Sequence, residues 1–197
     1  MFSHEAVREW EAKLAPALAD ELRRRRHGRG GARGRHWHVD ETYIKVRGRW
    51  AYLYRAIDRD GDLVDTMLSE HRDMAAAQAF FRSAQAVTGV TPDRVTTDGH
   101  VSYPRAIRST LGRRVVHRTS AYRNNGLEQD HRGVKGRTRC MHGFKSFGSA
   151  ERFCRSYDEL RDFLRVRTRH NQHVPASHRR LLLLRRATSA LAILQAA

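Results

Sequence analysis

Three carboxylates in this chain stand at positions that suit metal ligands: Asp40, Asp98 and Glu128. Asp40 lies within residues 38–46, an alternating run that is typical of a strand. Asp98 follows the short run 94–97 and precedes a glycine, and Glu128 lies near the start of a predicted helix. Oxygen ligands suit Mg²⁺, and a pair of such ions promotes phosphodiester chemistry. Two strand-borne acids and a third on a later helix therefore predict a two-metal site acting on DNA.

Each of these acids also has an ordinary structural explanation. Asp40 could pair with an arginine on a half-exposed sheet, and Asp98-Gly99 is a common turn dipeptide. Glu128 could simply complement the dipole at the start of its helix. Glu41, which follows Asp40, points to the opposite face of the strand and is interpreted as structural. Taken singly, these acids leave the choice open, and their shared setting favours the metal site.

Four ordered motifs surround the carboxylates between about residues 36 and 165. They are VDETYIKV at 39–46, TTDGH at 96–100 with Ser102-Tyr103-Pro104 behind it, NNGLEQDHR at 124–132 and GFKS at 143–146. Together they resemble the catalytic core of the prokaryotic DDE insertion-sequence transposases, and more narrowly the branch that fuses replicons into cointegrates.

That resemblance implies a ribonuclease H-like α/β fold in which Asp40, Asp98 and Glu128 are the catalytic residues. It implies two bound Mg²⁺ ions, with Mn²⁺ as a substitute, shared by the same three carboxylates. The expected activity is strand cleavage at insertion-sequence ends and transfer of the 3′-hydroxyl into target DNA. The expected partner is double-stranded DNA, bound by a homodimer or higher oligomer.

Charge supports a polyanionic partner independently of the resemblance. The 197 residues carry 38 Lys and Arg against 21 Asp and Glu, a net charge of +17, which attracts nucleic acid. No apolar run approaches the roughly 18 residues of a transmembrane helix, and the N-terminus lacks a signal-peptide layout. With only two cysteines, the composition predicts a protein of the reducing cytoplasm, associated with the nucleoid and with no membrane partner.

Two basic groups are the candidate DNA contacts. The first is the tract Arg23, Arg24, Arg25 and Arg26, and the second, beside Glu128, includes Arg132, Lys135 and Lys145. His131 is a candidate either for a phosphate contact or for ordering the metal site. The tryptophans Trp10, Trp37 and Trp50 are interpreted as core anchors rather than base-stacking residues.

Hydrophobic periodicity divides the chain into four segments. The first, residues 1–27, contains a helix over 5–26 and precedes a basic Gly/Arg linker at 28–35. The resemblance implies that the catalytic domain spans 36–168, and a basic helical tail spans 169–197. Strands are expected near 36–46, 49–58, 62–68, 93–97 and 114–118, and helices near 73–88, 103–111, 125–135 and 149–167. Three hairpin-connected strands followed by strands separated by helices predict a mixed five-stranded sheet covered by helices.

Asp58 to Asp62 resembles a calcium loop, but its glycine is misplaced, and a hairpin is predicted instead.

The N-terminal helix leaves the function open between two classes. Residues 3–26 resemble the recognition helix of the helix-turn-helix in full-length relatives, and the helices expected before it are missing. We therefore expect a truncated copy whose residues 36–165 fold independently of the first 30. The alternative to an active transposase is a non-catalytic DNA-binding remnant. A structure-specific nuclease of the same fold is a weaker alternative, because it leaves residues 43–46 and 143–146 unexplained.

Overall fold

A five-stranded mixed sheet forms the centre of the computed structural model, which describes residues 3–27, 35–120, 125–139, 143–166 and 174–196. The strands are β1 (His36–Val46), β2 (Arg49–Ile57), β3 (Leu63–Ser69), β4 (Arg94–Thr97) and β5 (Val116–Thr119). Their spatial order is β3-β2-β1-β4-β5. The β1–β2 and β2–β3 pairs are antiparallel, whereas β4 runs parallel to both β1 and β5. This is the mixed sheet that the sequence predicts.

Both predicted hairpin turns form. Arg47 and Gly48 adopt positive φ angles of 50° and 79° between β1 and β2, as a two-residue turn that matches strand twist requires. In the β2–β3 turn, Gly61 has a φ of 79°. There the Asp58 carboxylate accepts hydrogen bonds from the backbone N–H groups of Asp60 and Asp62. The calcium-like segment is therefore a hairpin turn.

One face of the sheet is covered by the helices that connect β3, β4 and β5. They are α2 (Met74–Thr88) and α3 (Ser102–Thr110). Asp73 caps α2 by accepting a hydrogen bond from the Ala76 N–H, and Gly89 ends it in the left-handed conformation. Buried aromatic residues dominate this core, including Trp37, Tyr54, Phe80, Phe81 and Tyr103.

The opposite face is covered by α4 (Asn125–Arg139) and α5 (Phe147–Leu164). Ile44 and Leu53 from the sheet pack there with Val134 of α4 and Cys154 of α5. Because neighbouring residues of a strand point to opposite faces, β1 contributes to both cores at once. Asp40 and Glu41 consequently leave β1 on opposite sides.

The N-terminal helix α1 (His4–Arg24) packs against α5 and against the C-terminal helix α6 (Ala176–Gln195). Leu18 and Leu22 of α1 are buried with Ala190 and Ile193 of α6. The contacts show that α1 lies against the same body as the sheet. Most of the linker 28–35 lies outside the described residues, and the division into four segments stays a prediction.

The tryptophans divide into one buried and two exposed residues. Trp37 is 0% exposed, as expected of a core anchor, whereas Trp10 is 45% and Trp50 is 61% exposed. The interpretation of Trp10 and Trp50 as core anchors was wrong. Trp50 lies next to the β1–β2 turn, at an end of the hairpin where much of its surface is left uncovered.

Among the helices of the described ranges, none combines the length and apolar character needed to cross a membrane.

Candidate metal centre

Asp40 projects from the middle of β1 toward the face covered by α4 and α5. Its cross-strand neighbour is Arg55 of β2, and its side chain is largely buried, with 18% exposure. One Asp40 oxygen accepts a hydrogen bond from the Glu41 N–H at 2.9 Å. A largely buried carboxylate in mid-strand is unfavourable unless charge or metal compensates it, so the position needs a partner that is positive.

Asp98 follows β4, at the carboxyl end of a strand parallel to β1. The β1–β4 register pairs His38 with Thr96, which brings the residue after β4 beside Asp40. Asp98 Oδ1 accepts a hydrogen bond from the His100 N–H at 3.0 Å, which holds the carboxylate within its loop. Ligands commonly bind at the carboxyl ends of strands in open α/β sheets.

The carboxylates of Asp40 and Asp98 lie close to a third carboxylate, that of Glu41. One oxygen from each of Asp40, Glu41 and Asp98 lies within 4.8 Å of the other two. A cluster of carboxylate oxygens is the donor set that a hard divalent cation prefers. Asp40 and Asp98 therefore fit the predicted metal site, and Glu41 lies closer to it than its place on the other face of β1 suggests.

Glu41 is held by a buried network that no sequence pattern indicates. Its two oxygens accept hydrogen bonds from the Tyr103 hydroxyl and from Arg72 Nε. Arg72 lies between β3 and α2, and its Nη2 donates to Asp98 Oδ2 at 3.3 Å while Nη1 lies 3.4 Å from the Tyr43 hydroxyl. Arg72 thus bridges Glu41 and Asp98. The interpretation of Glu41 as a structural residue agrees with these contacts.

The charges of this network shift the pKa values of its members. Burial acts to lower the pKa of Arg72, but Glu41, Tyr43 and Asp98 outweigh it and raise that pKa. Burial, followed by the negative charge of Glu41, raises the pKa of Tyr103. Arg72 therefore stays a cation beside Asp98, and Tyr103 stays a neutral donor to Glu41.

His131 of α4 lies next to Asp40 on the face of the sheet that α4 and α5 cover. Its Nδ1 is 3.9 Å from Asp40 Oδ2, and the residue is 8% exposed. Burial, and then the positive charges of Arg55 and Lys135, lower the pKa of His131 to about 3. The imidazole is therefore neutral at ordinary pH, and its proximity to Asp40 is a contact rather than an ion pair. This burial fits a role in ordering Asp40 better than a phosphate contact.

Glu128, the third predicted ligand, belongs to α4, but its side chain lies outside the described part of the structure. Leu127 and Val134 of the same helix are both 0% exposed. α4 is thus packed against the sheet on the side toward which Asp40 projects.

A buried ion pair between β2 and α5 lies next to Asp40. Arg55, the cross-strand neighbour of Asp40, donates through Nε at 3.1 Å and through Nη2 to the two oxygens of Asp158 in α5. Their side chains are 1% and 3% exposed. A bidentate arginine–carboxylate pair fixes the relative orientation of the two side chains as well as balancing their charges. The pair therefore holds α5 against β2 next to Asp40.

The predicted DNA contacts differ in whether their side chains are exposed or bound to buried partners. Arg132, Lys135 and Lys145 are exposed. Within the N-terminal tract, Arg24 and Arg25 pair with Glu21 near the surface, whereas the other two arginines point inward. Arg23 binds Asp65 and Ser83, and Arg26 binds Glu159 and the main-chain oxygens of Leu63 and Val64. Arg23 and Arg26 thus have structural partners that the run of four arginines does not indicate.

The strand order and the flanking helices define the class of fold, which is integrase-core-like. The fold is similar to that of the HTLV-2 integrase catalytic core domain, in a structure described as a dimeric form in complex with magnesium. The two superpose with a TM-score of 0.51 at 13% sequence identity, covering 78% of this chain and 99% of that one. At this identity the likeness concerns the fold alone.

Sequence comparison identifies the family. The family model described as the DDE domain matches residues 34–167, and the chain belongs to the DDE transposase family. It is 37% identical over 138 residues to the transposase for insertion sequence-like element IS431mec of Staphylococcus aureus (strain Mu50), and equally to that of IS257 in transposon Tn4003. Each match covers 68% of this chain and 59% of the relative's length. An uncharacterised Yersinia pseudotuberculosis protein, pYV0051, is 40% identical over 73 residues, covering 36% of this chain and 68% of that protein.

Proposed function

We propose that this chain catalyses metal-dependent strand cleavage at insertion-sequence ends and transfer of the resulting 3′-hydroxyl into target DNA. The observation that carries the proposal is the proximity of Asp40 and Asp98: their oxygens lie within 4.8 Å, although Asp40 belongs to β1 and Asp98 follows β4. Within the family, we assign the chain to the branch that fuses replicons, on the basis of its four ordered motifs.

Two Mg²⁺ ions, replaceable by Mn²⁺, are the proposed cofactors. Asp40 would be shared between them, and Asp98 and Glu128 would each hold one. Bound there, the ions would lower the pKa of the attacking water or 3′-hydroxyl and stabilise the leaving oxygen. The donor set supports this assignment, because clustered carboxylate oxygens match the preference of a small, hard cation.

The protein's own residues would orient the carboxylates and hold the DNA. Arg72 holds Asp98 through its Nη2, and the neutral His131 lies against Asp40. Arg132, Lys135 and Lys145 are exposed cations that would contact phosphates. The proposed partner is double-stranded DNA, both insertion-sequence ends and target, bound by a homodimer or higher oligomer.

The test is a joining assay with the 197-residue chain, a pre-cut insertion-sequence end and a plasmid target. Joined product should form in Mg²⁺ and in Mn²⁺, disappear in EDTA, and be absent with Asp40→Asn. Retention of DNA binding without any joined product from the unmodified chain would contradict the proposal. That result would instead support the non-catalytic DNA-binding alternative.

A further inference from the structure

An exposed aromatic surface occupies the turn end of the β1–β2 hairpin. Tyr43 is 45% exposed and Trp50 is 61% exposed, on the sheet face that carries Trp37 and Val39 farther along β1. The third ring, Tyr52, is partly buried against the edge of the aromatic core. We call Tyr43, Trp50 and Tyr52 the aromatic platform.

The platform is an ordered array rather than a set of scattered rings. Tyr43 and Tyr52 are directly paired across the strands, with ring centroids 5.4 Å apart, and the Tyr43 and Trp50 centroids are 6.1 Å apart. Lys45, the cross-strand partner of Trp50, holds its ammonium 5.7 Å from the Trp50 ring centroid. Contacts of this kind restrict the rings without covering them.

The platform begins beside the candidate metal centre. The Tyr43 hydroxyl lies 3.4 Å from Arg72 Nη1, and Arg72 Nη2 lies 3.3 Å from Asp98 Oδ2. One side chain therefore separates the platform from a proposed catalytic carboxylate. Asp40 projects toward the opposite face of the sheet, so the link between the metal centre and the platform runs through Asp98 and Arg72 to Tyr43.

The charges around the platform select an anionic occupant. Lys45, Arg47 and Arg49 are exposed on the same hairpin. Arg47 also donates a hydrogen bond to the main-chain oxygen of Lys145. This bond brings the exposed Lys145 close to the hairpin turn. The exposed acids Glu70 and Asp73 lie between β3 and α2. Flat aromatic rings within a cationic rim match unpaired nucleotides, which offer a π face and a phosphate together.

We propose that the aromatic platform stacks unpaired bases at the DNA end held by the metal centre. Base–aromatic stacking tolerates any sequence, because each base has a π face, so this site would recognise melted DNA rather than a particular motif. The inference rests on the proposed function, since it takes the DNA end to lie at Asp40 and Asp98. The proposal adds a surface that binds an unpaired DNA end in preference to a fully paired duplex end.

Competition binding with two duplexes of the same length tests the proposal. One duplex is fully paired, and the other carries three terminal mismatches that leave its end unpaired. The full chain should prefer the unpaired end, and Trp50→Ala should weaken binding to that duplex about tenfold, equivalent to about 1.4 kcal/mol. Binding of the paired duplex should change less than about twofold, because a paired end offers no free π face. Trp50→Phe, which keeps a stacking ring, should restore most of the preference, and Tyr43→Ala should reduce it.

Leu191→Ala is the control, because Leu191 is a comparably exposed apolar residue on α6, away from the platform, and should leave the preference unchanged. An equal loss on both duplexes, or no loss on either, would overturn the proposal. So would a change in oligomeric state on Trp50→Ala with the preference intact, because the platform would then be covered by a second copy of the chain. A joining assay on a pre-cut, fully paired end reports on the proposed function separately: its failure would contradict the transposase activity whatever the stacking result.

Discussion

His131 Nδ1 lies 3.9 Å from Asp40 Oδ2, so a side chain of α4 contacts the carboxylate of β1. The imidazole is neutral because burial lowers its pKa, and the contact therefore acts through packing and orientation. Glu128 precedes His131 by three residues, close to one helical turn. The relationship between His131 and Asp40 thus places the helix that carries the third predicted ligand over the strand that carries the first.

Replacing any one of the three predicted ligands should abolish strand transfer. Asp40→Asn, Asp98→Asn and Glu128→Gln should each lower the joining rate at least about a hundredfold, since several kcal/mol of transition-state stabilisation would be lost. DNA affinity should remain nearly unchanged. Glu70→Gln is the control, an exposed acid outside the cluster. Full joining activity in any of the three variants would remove that residue from the site.

Glu41 and Arg72 should behave as one unit in a double-mutant cycle. Arg72 reaches Asp98 while Glu41 holds its Nε, so Glu41→Gln and Arg72→Gln should remove the same positioning of Asp98. We expect each single variant to lower the joining rate about tenfold, and to change the Mn²⁺ affinity measured by electron paramagnetic resonance. The double variant should be no worse than the poorer single variant, because interacting residues are not additive. Multiplicative losses would show that the two residues act independently.

The four arginines at the end of α1 should separate into two pairs. Arg23→Gln and Arg26→Gln leave Asp65 or Glu159 buried without its partner, and each should lower the free energy of unfolding by about 3 kcal/mol. Arg24→Gln and Arg25→Gln should leave the free energy of unfolding nearly unchanged, because their pairs with Glu21 lie near the surface. Urea denaturation at pH 8 measures both effects.

DNA binding by the same variants tests the N-terminal tract as a DNA-binding surface. Replacing Arg24 and Arg25 together should reduce the log–log salt slope by about 0.9 for each phosphate that the protein no longer neutralises. An unchanged slope would restrict the DNA-binding cations to others, such as Arg132, Lys135 and Lys145.

Asp58 should make stability depend on pH. Burial, partly opposed by the hydrogen bond from Asp62, raises the pKa of Asp58 to about 7. For a carboxyl group with a raised pKa, the stabilising contribution is complete below the unfolded value of about 3.9 and is lost as pH rises through about 7. Asp58→Asn keeps an acceptor for the Asp60 and Asp62 N–H groups without the charge. We expect this variant to match the parent protein at pH 4 and to exceed its stability by about 1–3 kcal/mol at pH 8. Parallel pH profiles in thermal denaturation would contradict this.

Local patterns account for most of the fold. The alternation along β1, the turns at Arg47-Gly48 and Asp60-Gly61, and the helical periods each act over a few residues, and the structure confirms the elements they predict. The resemblance of the motifs predicts that Asp40 and Asp98 lie together, and the β1–β4 register explains it, because β4 ends beside the middle of β1.

Contacts between distant segments could not be predicted in the same way. Nothing around Arg72 indicates that it bridges Glu41 and Asp98, and nothing around Arg55 indicates its pairing with Asp158 in α5. The prediction for Trp50 is wrong because it assumes that an aromatic residue in a strand packs inward, as such residues commonly do. The exposure of Trp50 depends on where α2 and α3 stop covering the sheet, which is a property of the whole fold.

Arg26 has a consequence for the behaviour of the protein at high concentration. Its guanidinium occupies the carbonyl oxygens of Leu63 and Val64 in β3, which is an edge strand of the described sheet. Unsatisfied edge groups invite a strand from another chain and lead to aggregation. By binding these acceptors and placing a cation there, Arg26 obstructs edge-to-edge polymerisation on that side. The proposed gathering of several copies on DNA would therefore not join their sheets into a fibre through β3.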